Sequence, residues 1–173
     1  MNILFLANHL NTGGITNYCL FLGTALRKRG HSVFVASSNS ARKDNCLHKF
    51  EREGIEFIHI PIRTKSEASP KVLISLLKLL PEVRRRKIDI LHANTRVTQV
   101  LAAGAGFLAG VPYVSTCHGF FTPRISRRMF PFWGRRVIAI SNQVEEHLVR
   151  DFRVDKQRVR RIFNGIDLSL IHI

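Results

Sequence analysis

At 173 residues the chain is long enough for one domain with a full core, and 45% hydrophobic against 23% charged residues excludes a disordered class. Lys and Arg number 27 against 12 Asp and Glu, a formal charge of +15 that draws phosphates, acidic lipids or nucleic acid without choosing among them. Three widely spaced cysteines, Cys19, Cys46 and Cys117, form no CxxC pair, so neither a disulfide framework nor a cysteine zinc site is indicated and a reducing compartment fits.

Along the chain, apolar runs alternate with helical patterns, the mark of βα units on a parallel sheet. The N-terminus MNILFLANHLNTGG has no basic n-region and too short an apolar run for a signal peptide, and its NILFLA (Asn2–Ala7) reads as the first strand. Ile15, Tyr18, Cys19, Leu22 and Leu26 follow at helical spacing, closed by Arg27 to Arg29 and a Gly30 C-cap. Strands are predicted over His31–Ser37 and Ile55–Ile60, with a helix near Asp44–Glu53 between them. Ser69-Pro70 opens a helix bearing Leu73, Leu76, Leu77 and Leu80, which Pro81 should kink or restart. Then come a strand (Asp89–Ala93), a helix (Arg96–Ala109), two strands (Pro112–Cys117 and Arg136–Ser141), a helix capped by Ser141, and a last short strand within Arg158–Asp167. Val97 to Pro123 contains no Asp, Glu, Lys or Arg, but Gly104, Gly106, Gly110 and Pro112 interrupt it, so a small-residue helix and a buried strand explain it better than a membrane span. The expected fold is a single Rossmann-like, doubly wound, mainly parallel α/β sheet flanked by helices.

Ligands of such sheets bind at the carboxyl ends of the strands, where four features fall. In NHLNTGGITNY, Gly13 and Gly14 let the backbone approach a ligand at a helix start that favours anions, with Asn17 one turn on; a tight turn needing positive φ is the plain alternative. In HANTR, Asn94 and Arg96 offer donors for a sugar hydroxyl or phosphate, against helix capping by Asn94 or Thr95. His118 and Gly119 end the fifth strand, where an imidazole can exchange hydrogen bonds at physiological pH; a buried structural histidine is the alternative. Asn164-Gly165 is a turn signal first and a ligand contact second. No standard nucleotide loop and no HExxH spacing is present.

Between the fifth and sixth strands, aromatic residues including Phe130 and Trp133 interleave with Arg124, Arg127 and Arg128. That composition suits an anionic membrane surface or acceptor, and equally a segment whose aromatics enter the core. Nucleic acid is not expected as a partner, because the basic clusters are scattered and no recognition module appears.

Taken in order, these stretches resemble the N-terminal half of GT-B glycosyltransferases, specifically family 4. The resemblance covers Met1 to about Leu168 and rests on NILFLANHLNTGGITNY, IDILHANTRVTQVLAAGAGFLAGVPYVSTCHGFF, RVIAISNQVEEHLV and VRRIFNGIDL. It implies retaining transfer from a nucleotide-sugar donor to a lipid-linked or polysaccharide/lipopolysaccharide acceptor, with no cofactor and no metal. By it, Gly13 and Gly14 line an interdomain cleft near donor phosphates and acceptor, and Asn94 and Arg96 resemble acceptor-side contacts. His118 resembles a cleft histidine at the reacting end of the donor sugar, acting there as something other than a general base and counted as the catalytic residue. Ser141 opens the helix after the sixth strand, and Asn164 and Gly165 resemble the turn into a second, donor-binding domain. Two departures stand out: Ile15, Thr16 and Asn17 follow the glycines where an acidic residue is common, and after a domain spanning 1–168 the tail 169–173 leaves no residues for the donor domain. The expectation is therefore an acceptor-binding half, inactive alone and completed by a C-terminal domain or partner chain, in the cytoplasm or peripheral on the inner membrane face. The alternatives are a non-catalytic membrane-docking or partner-dependent module of the same fold and a basic nucleic-acid-binding domain.

Overall fold

The computed structural model describes residues 1–39, 45–64, 66–123 and 129–165. Seven strands, β1 (Asn2–Leu6), β2 (Ser32–Ser37), β3 (Glu56–His59), β4 (Ile90–Ala93), β5 (Tyr113–Cys117), β6 (Arg136–Ala139) and β7 (Val159–Arg161), form one sheet in the order β3-β2-β1-β4-β5-β6-β7. Every pairing is parallel. The helices are α1 (Gly14–Lys28), α2 (Asn45–Arg52), α3 (Pro70–Arg85), α4 (Arg96–Ala109) and α5 (Asn142–Arg150). The expected doubly wound α/β fold is the fold observed.

The strands read as unbroken apolar runs because both faces of a parallel sheet are covered. Alternation then sorts the side chains: Leu4 and Leu6 join Leu91, Ala93, Leu79 and Leu101 under α3 and α4. Phe5 joins Val33, Val35, Cys19 and Phe50 under α1 and α2. The register Leu6↔Ala93↔Ser115↔Val137↔Val159 carries the first face across to a third cluster, built on Trp133, Leu148 and Phe152 beside α5.

Two expectations need correction. Pro81 does not restart its helix: α3 runs through it to Arg85. Pro81 cannot donate a backbone bond there, and Ser75, Leu79 and Val83 hold the buried face on both sides of it. Trp133, expected at a membrane or acceptor surface, is only 3% exposed. It packs edge-on against Phe152, and its carbonyl accepts a 2.7 Å hydrogen bond from the Ser115 hydroxyl. The apolar surface of an indole is worth more inside the third cluster than at the rim.

Gly134, the next residue, fixes this anchor. Its φ of +82° is left-handed, and a Cβ there would lie 2.5 Å from the Tyr113 carbonyl oxygen. Gly110, the α4 C-cap, shares the left-handed backbone (φ +70°) but faces open space. Gly110→Ala should cost about 1 kcal/mol and Gly134→Ala about 3 kcal/mol or more, since strain and collision add. Urea denaturation of the two variants side by side checks this; equal losses would show that the close approach at Gly134 is unimportant.

Candidate active site

The sheet order places the divergence between β1 and β4: from β1 the chain winds one way through α1, and from β4 the other way through α4. The crevice at such a switch point is the expected ligand site of an open α/β sheet. Several groups meet there. The loop leaving β1 is fastened at its middle, where Leu10 N–H donates to Asn39 Oδ1 at 2.5 Å and the Asn39 amide bonds back to the Leu10 carbonyl. Asn8 bridges outward, its amide donating to the Thr64 carbonyl (2.8 Å) and its Oδ1 accepting from the Thr95 hydroxyl (2.8 Å).

From β4 and β5 come Asn94 and His118. The Asn94 amide donates to the carbonyls of His92 (3.2 Å) and Leu6 (3.4 Å), which turns its Oδ1 toward His118 Nε2 at 3.1 Å. Oδ1 is an acceptor only, so Nε2 of His118 carries the proton and Nδ1 keeps its lone pair. Tyr18 of α1 stands edge-on to the His118 ring at 4.8 Å. Its hydroxyl meets Thr116 Oγ1 at 3.0 Å, and Thr116 Oγ1 meets His92 Nε2 at 2.7 Å. A chain of hydrogen bonds thus runs from α1 through β5 to β4 beneath the crevice floor. The same register that sends Phe5, His92 and Val114 to the α1 face brings Tyr18 and His92 together.

Burial sets the charge states. Desolvation pulls His118 down to about 4, and His92 to about 3 with a further push from neighbouring His118. Both rings are neutral at physiological pH. Burial also raises the Tyr18 hydroxyl, and it lifts the thiols of Cys19 and Cys117 to about 12 and about 11, which removes both as nucleophiles at neutral pH.

The remaining predicted residues spread around this centre. Gly13, Gly14 and Gly119 line the loops at the edge, and Asn17 is exposed one turn into α1. Neither Gly13, which is fully extended, nor Gly14 lies in the left-handed region, so the tight-turn explanation does not apply to them. A Cβ at Gly14 or Gly119 would meet nothing within 4 Å, and at Gly13 only the Asn11 side chain at 3.8 Å. Ser141 is spent on capping α5, accepting from Val144 N–H at 3.2 Å, and Asn164 and Gly165 are exposed beyond β7, two strands from β5. Arg124, Arg127 and Arg128 lie outside the described residues. Phe130 is exposed.

Arg96 is 7% exposed, its guanidinium taken up by protein groups. Its guanidinium donates to the carbonyls of Phe130 (2.7 Å) and Pro131 (3.0 Å) and to Gln99 Oε1 (3.2 Å), with Nε 3.2 Å from a Glu67 carboxylate oxygen. It clamps the segment between β5 and β6 onto α4. His147 does the same for the loop after His118: its Nδ1 lies 2.6 Å from Asp151 Oδ2 and its Nε2 lies 3.0 Å from the Phe121 carbonyl. Sequence reasoning did not single out Tyr18, His92, Thr116 or His147 as site residues. Only the placement of Tyr18 one turn after Gly14 hinted at its position. The described residues hold no cluster of three or more metal-ligating side chains, and none of their helices is long and apolar enough to cross a membrane.

Similarities to known proteins converge on this architecture. The structure superposes on a glycosyltransferase from Rickettsia africae with a TM-score of 0.82 at 19% identity, over 97% of this chain and 44% of that one. It superposes on Anabaena HepE, solved with UDP and glucose, with a TM-score of 0.76 at 21% identity, over 98% of this chain and 46% of that one. The fold is that of the N-terminal half of GT-B glycosyltransferases. The model of Glycosyltransferase Family 4 matches residues 12–170, and the chain belongs to that family. A curated relative from Escherichia coli, UDP-Gal:alpha-D-GlcNAc-diphosphoundecaprenol alpha-1,3-galactosyltransferase, is 36% identical over 111 residues, 57% of this chain. The chain spans 28% of that relative's length.

Two outcomes follow from the charge states and the clamp. The unfolded chain binds protons at His118 and His92 near pH 6.5 and the folded chain does not until about pH 4 and about 3, so the unfolded state holds more protons between those limits. Stability contributed by the neutral rings is therefore complete above pH 6.5 and is lost as pH falls toward 4. Urea midpoints of His118→Asn should fall less steeply than wild type over that window; parallel curves would refute the assignment. Arg96→Lys, which keeps charge but loses the fork, should cost about 2 kcal/mol or more in the same measurement. A loss within error would mean the clamp is dispensable.

Proposed function

We propose that this chain forms the acceptor-side wall of the cleft of a retaining glycosyltransferase, which moves a sugar from a nucleotide-sugar donor to a lipid-linked or polysaccharide/lipopolysaccharide acceptor. The observation that carries this reading is the open main chain at Gly119, which follows His118, and at Gly14, which opens α1 one turn before the Tyr18 that packs on the His118 ring. Gly14 and Gly119 adopt backbone that any residue could adopt and touch nothing that a side chain would displace. Their hydrogens leave room for a molecule outside the chain to lie on the main chain at both places. Family membership and the likeness to a transferase of lipid-linked GlcNAc support the substrate class.

The chemistry follows from His118. Transfer of a sugar builds positive charge at the reacting carbon and ring oxygen. An imidazolium beside that carbon would oppose the charge, and burial keeps this ring neutral. With Nε2–H engaged by Asn94, the fixed ring offers Nδ1 and the adjoining main-chain carbonyl as partial negative charges whose orientation costs no reorganisation. The α1 N-terminus, which has no side-chain cap, presents main-chain N–H groups suited to a diphosphate. No metal or cofactor is proposed. The donor domain is expected from a C-terminal segment or partner chain, and the working location is cytoplasmic, at the inner membrane face.

The test uses a soluble short-chain GlcNAc-diphospholipid and calorimetry on this chain. Gly14→Leu and Gly119→Leu should leave the melting temperature unchanged or higher and weaken acceptor binding at least tenfold, about 1.4 kcal/mol. Wild-type chain that ignores the acceptor, or leucine variants that bind it normally, would sink the reading.

A further inference from the structure

On the opposite layer from Tyr18, α3 and α4 lie side by side, with Leu76 packed against Gly104 and the Arg84 guanidinium donating to the Leu108 carbonyl at 3.3 Å. Their outward surface is apolar. Leu73 and Leu77, one turn apart on α3, are 60% and 64% exposed, and Ile74 is exposed beside them. On α4 the 100° spacing puts Val100, Ala103 and Phe107 on one outward line, and Phe107 is 87% exposed. No residue of α4 after Arg96 is charged, so this line carries no ionic relief.

Cations border the patch. Lys71 and Lys78 flank Ile74 along α3, Arg84 closes its lower end, and all three are exposed. The single acidic residue of α3, Glu82, is occupied by Arg85 (2.6 Å) and Arg86 (2.8 Å). An apolar surface of this kind, bordered by cations, matches the interface of an anionic bilayer, into which leucine and phenylalanine dip while lysine stems extend to headgroup phosphates. A second copy is a poorer occupant, because isologous pairing would set the same cations against each other on a chain already at +15.

We propose that the α3–α4 face docks this chain onto an anionic lipid surface. The assignment differs from the aromatic-basic segment after β5, whose Trp133 is in the core and whose Arg96 contact ties it down. Leu73 and Leu77 occupy the first two turns of α3, and both helices begin at the carboxyl edge of the sheet, the edge that bears His118. On the function proposed above, a chain docked through Leu73 and Leu77 near the carboxyl edge, with Phe107 in the last turn of α4 anchoring the opposite edge, lies along the leaflet that holds the acceptor's lipid.

Co-sedimentation of the chain with phosphatidylglycerol/phosphatidylethanolamine vesicles tests the proposal, with phosphatidylcholine vesicles as the neutral arm. Wild type should bind the anionic vesicles, more weakly at high salt, and Leu77→Glu with Phe107→Glu should reduce binding at least tenfold without lowering the melting temperature. Phe130→Glu should bind as wild type does. The proposal is overturned if wild type does not bind, if the double variant binds normally, or if Phe130→Glu alone abolishes binding. It is likewise overturned if light scattering finds a dimer that the double variant dissolves while vesicles go unbound, which would give the face to a second copy. Vesicle binding and soluble-acceptor binding are read separately, so failure of one leaves the other standing.

Discussion

The structure depends on the parting of the chain between β1 and β4. Right-handed crossovers carry β1 through α1 and α2 to β3 on one side, and α3 returns the chain to start β4 on the other. Two neighbouring strands therefore send their carboxyl-end loops in opposite directions, and the gap between those loops is a consequence of topology. Asn8, Tyr18, Asn94 and His118 converge on it although as many as 110 positions separate Asn8 from His118.

A crevice lined by polar groups in an apolar sheet is stable only if those groups find partners, because each buried group left unpaired costs about 1–3 kcal/mol. Asn94 meets that demand with three bonds, two from its amide and one to its Oδ1, and in doing so selects the His118 tautomer. Thr116 does so by joining Tyr18 to His92. The bonds that satisfy the fold are the bonds that hold the imidazole still, so packing and preorganisation are one requirement here.

Much of this was legible in the sequence, and the reason is periodicity. Parallel strands buried on both faces announce themselves as apolar runs, and α4 begins at Arg96 and ends at Ala109 as its pattern and Gly110 foretell. His118 at the end of β5 was legible for the same reason. The segment from Gly119 to Arg135 has no period, so composition alone could not say which aromatics turn inward; Trp133 does and Phe130 does not. Arg96 reads as a ligand contact because it opens a helix at the strand edge, yet a carboxylate and two carbonyls from distant loops claim it. Tyr18 and His92 stay invisible because their pairing is a product of register across β1, β4 and β5, which no local window contains.

The charge of +15 and the neutrality of His118 belong to one design. A strongly positive chain gathers anionic partners from a distance, where screening limits only the exposed charges. On the function proposed above, the same sign beside the transferred sugar would be harmful, since positive charge building on that sugar cannot be stabilised by more of it. Lys71, Lys78 and Arg84 stand exposed on a helix face, while the histidine is desolvated under Tyr18 and bonded to Asn94, so a strongly positive chain still holds a neutral ring. Gly119, the residue after His118, keeps the main chain beside that ring open, since a Cβ on it would meet nothing within 4 Å.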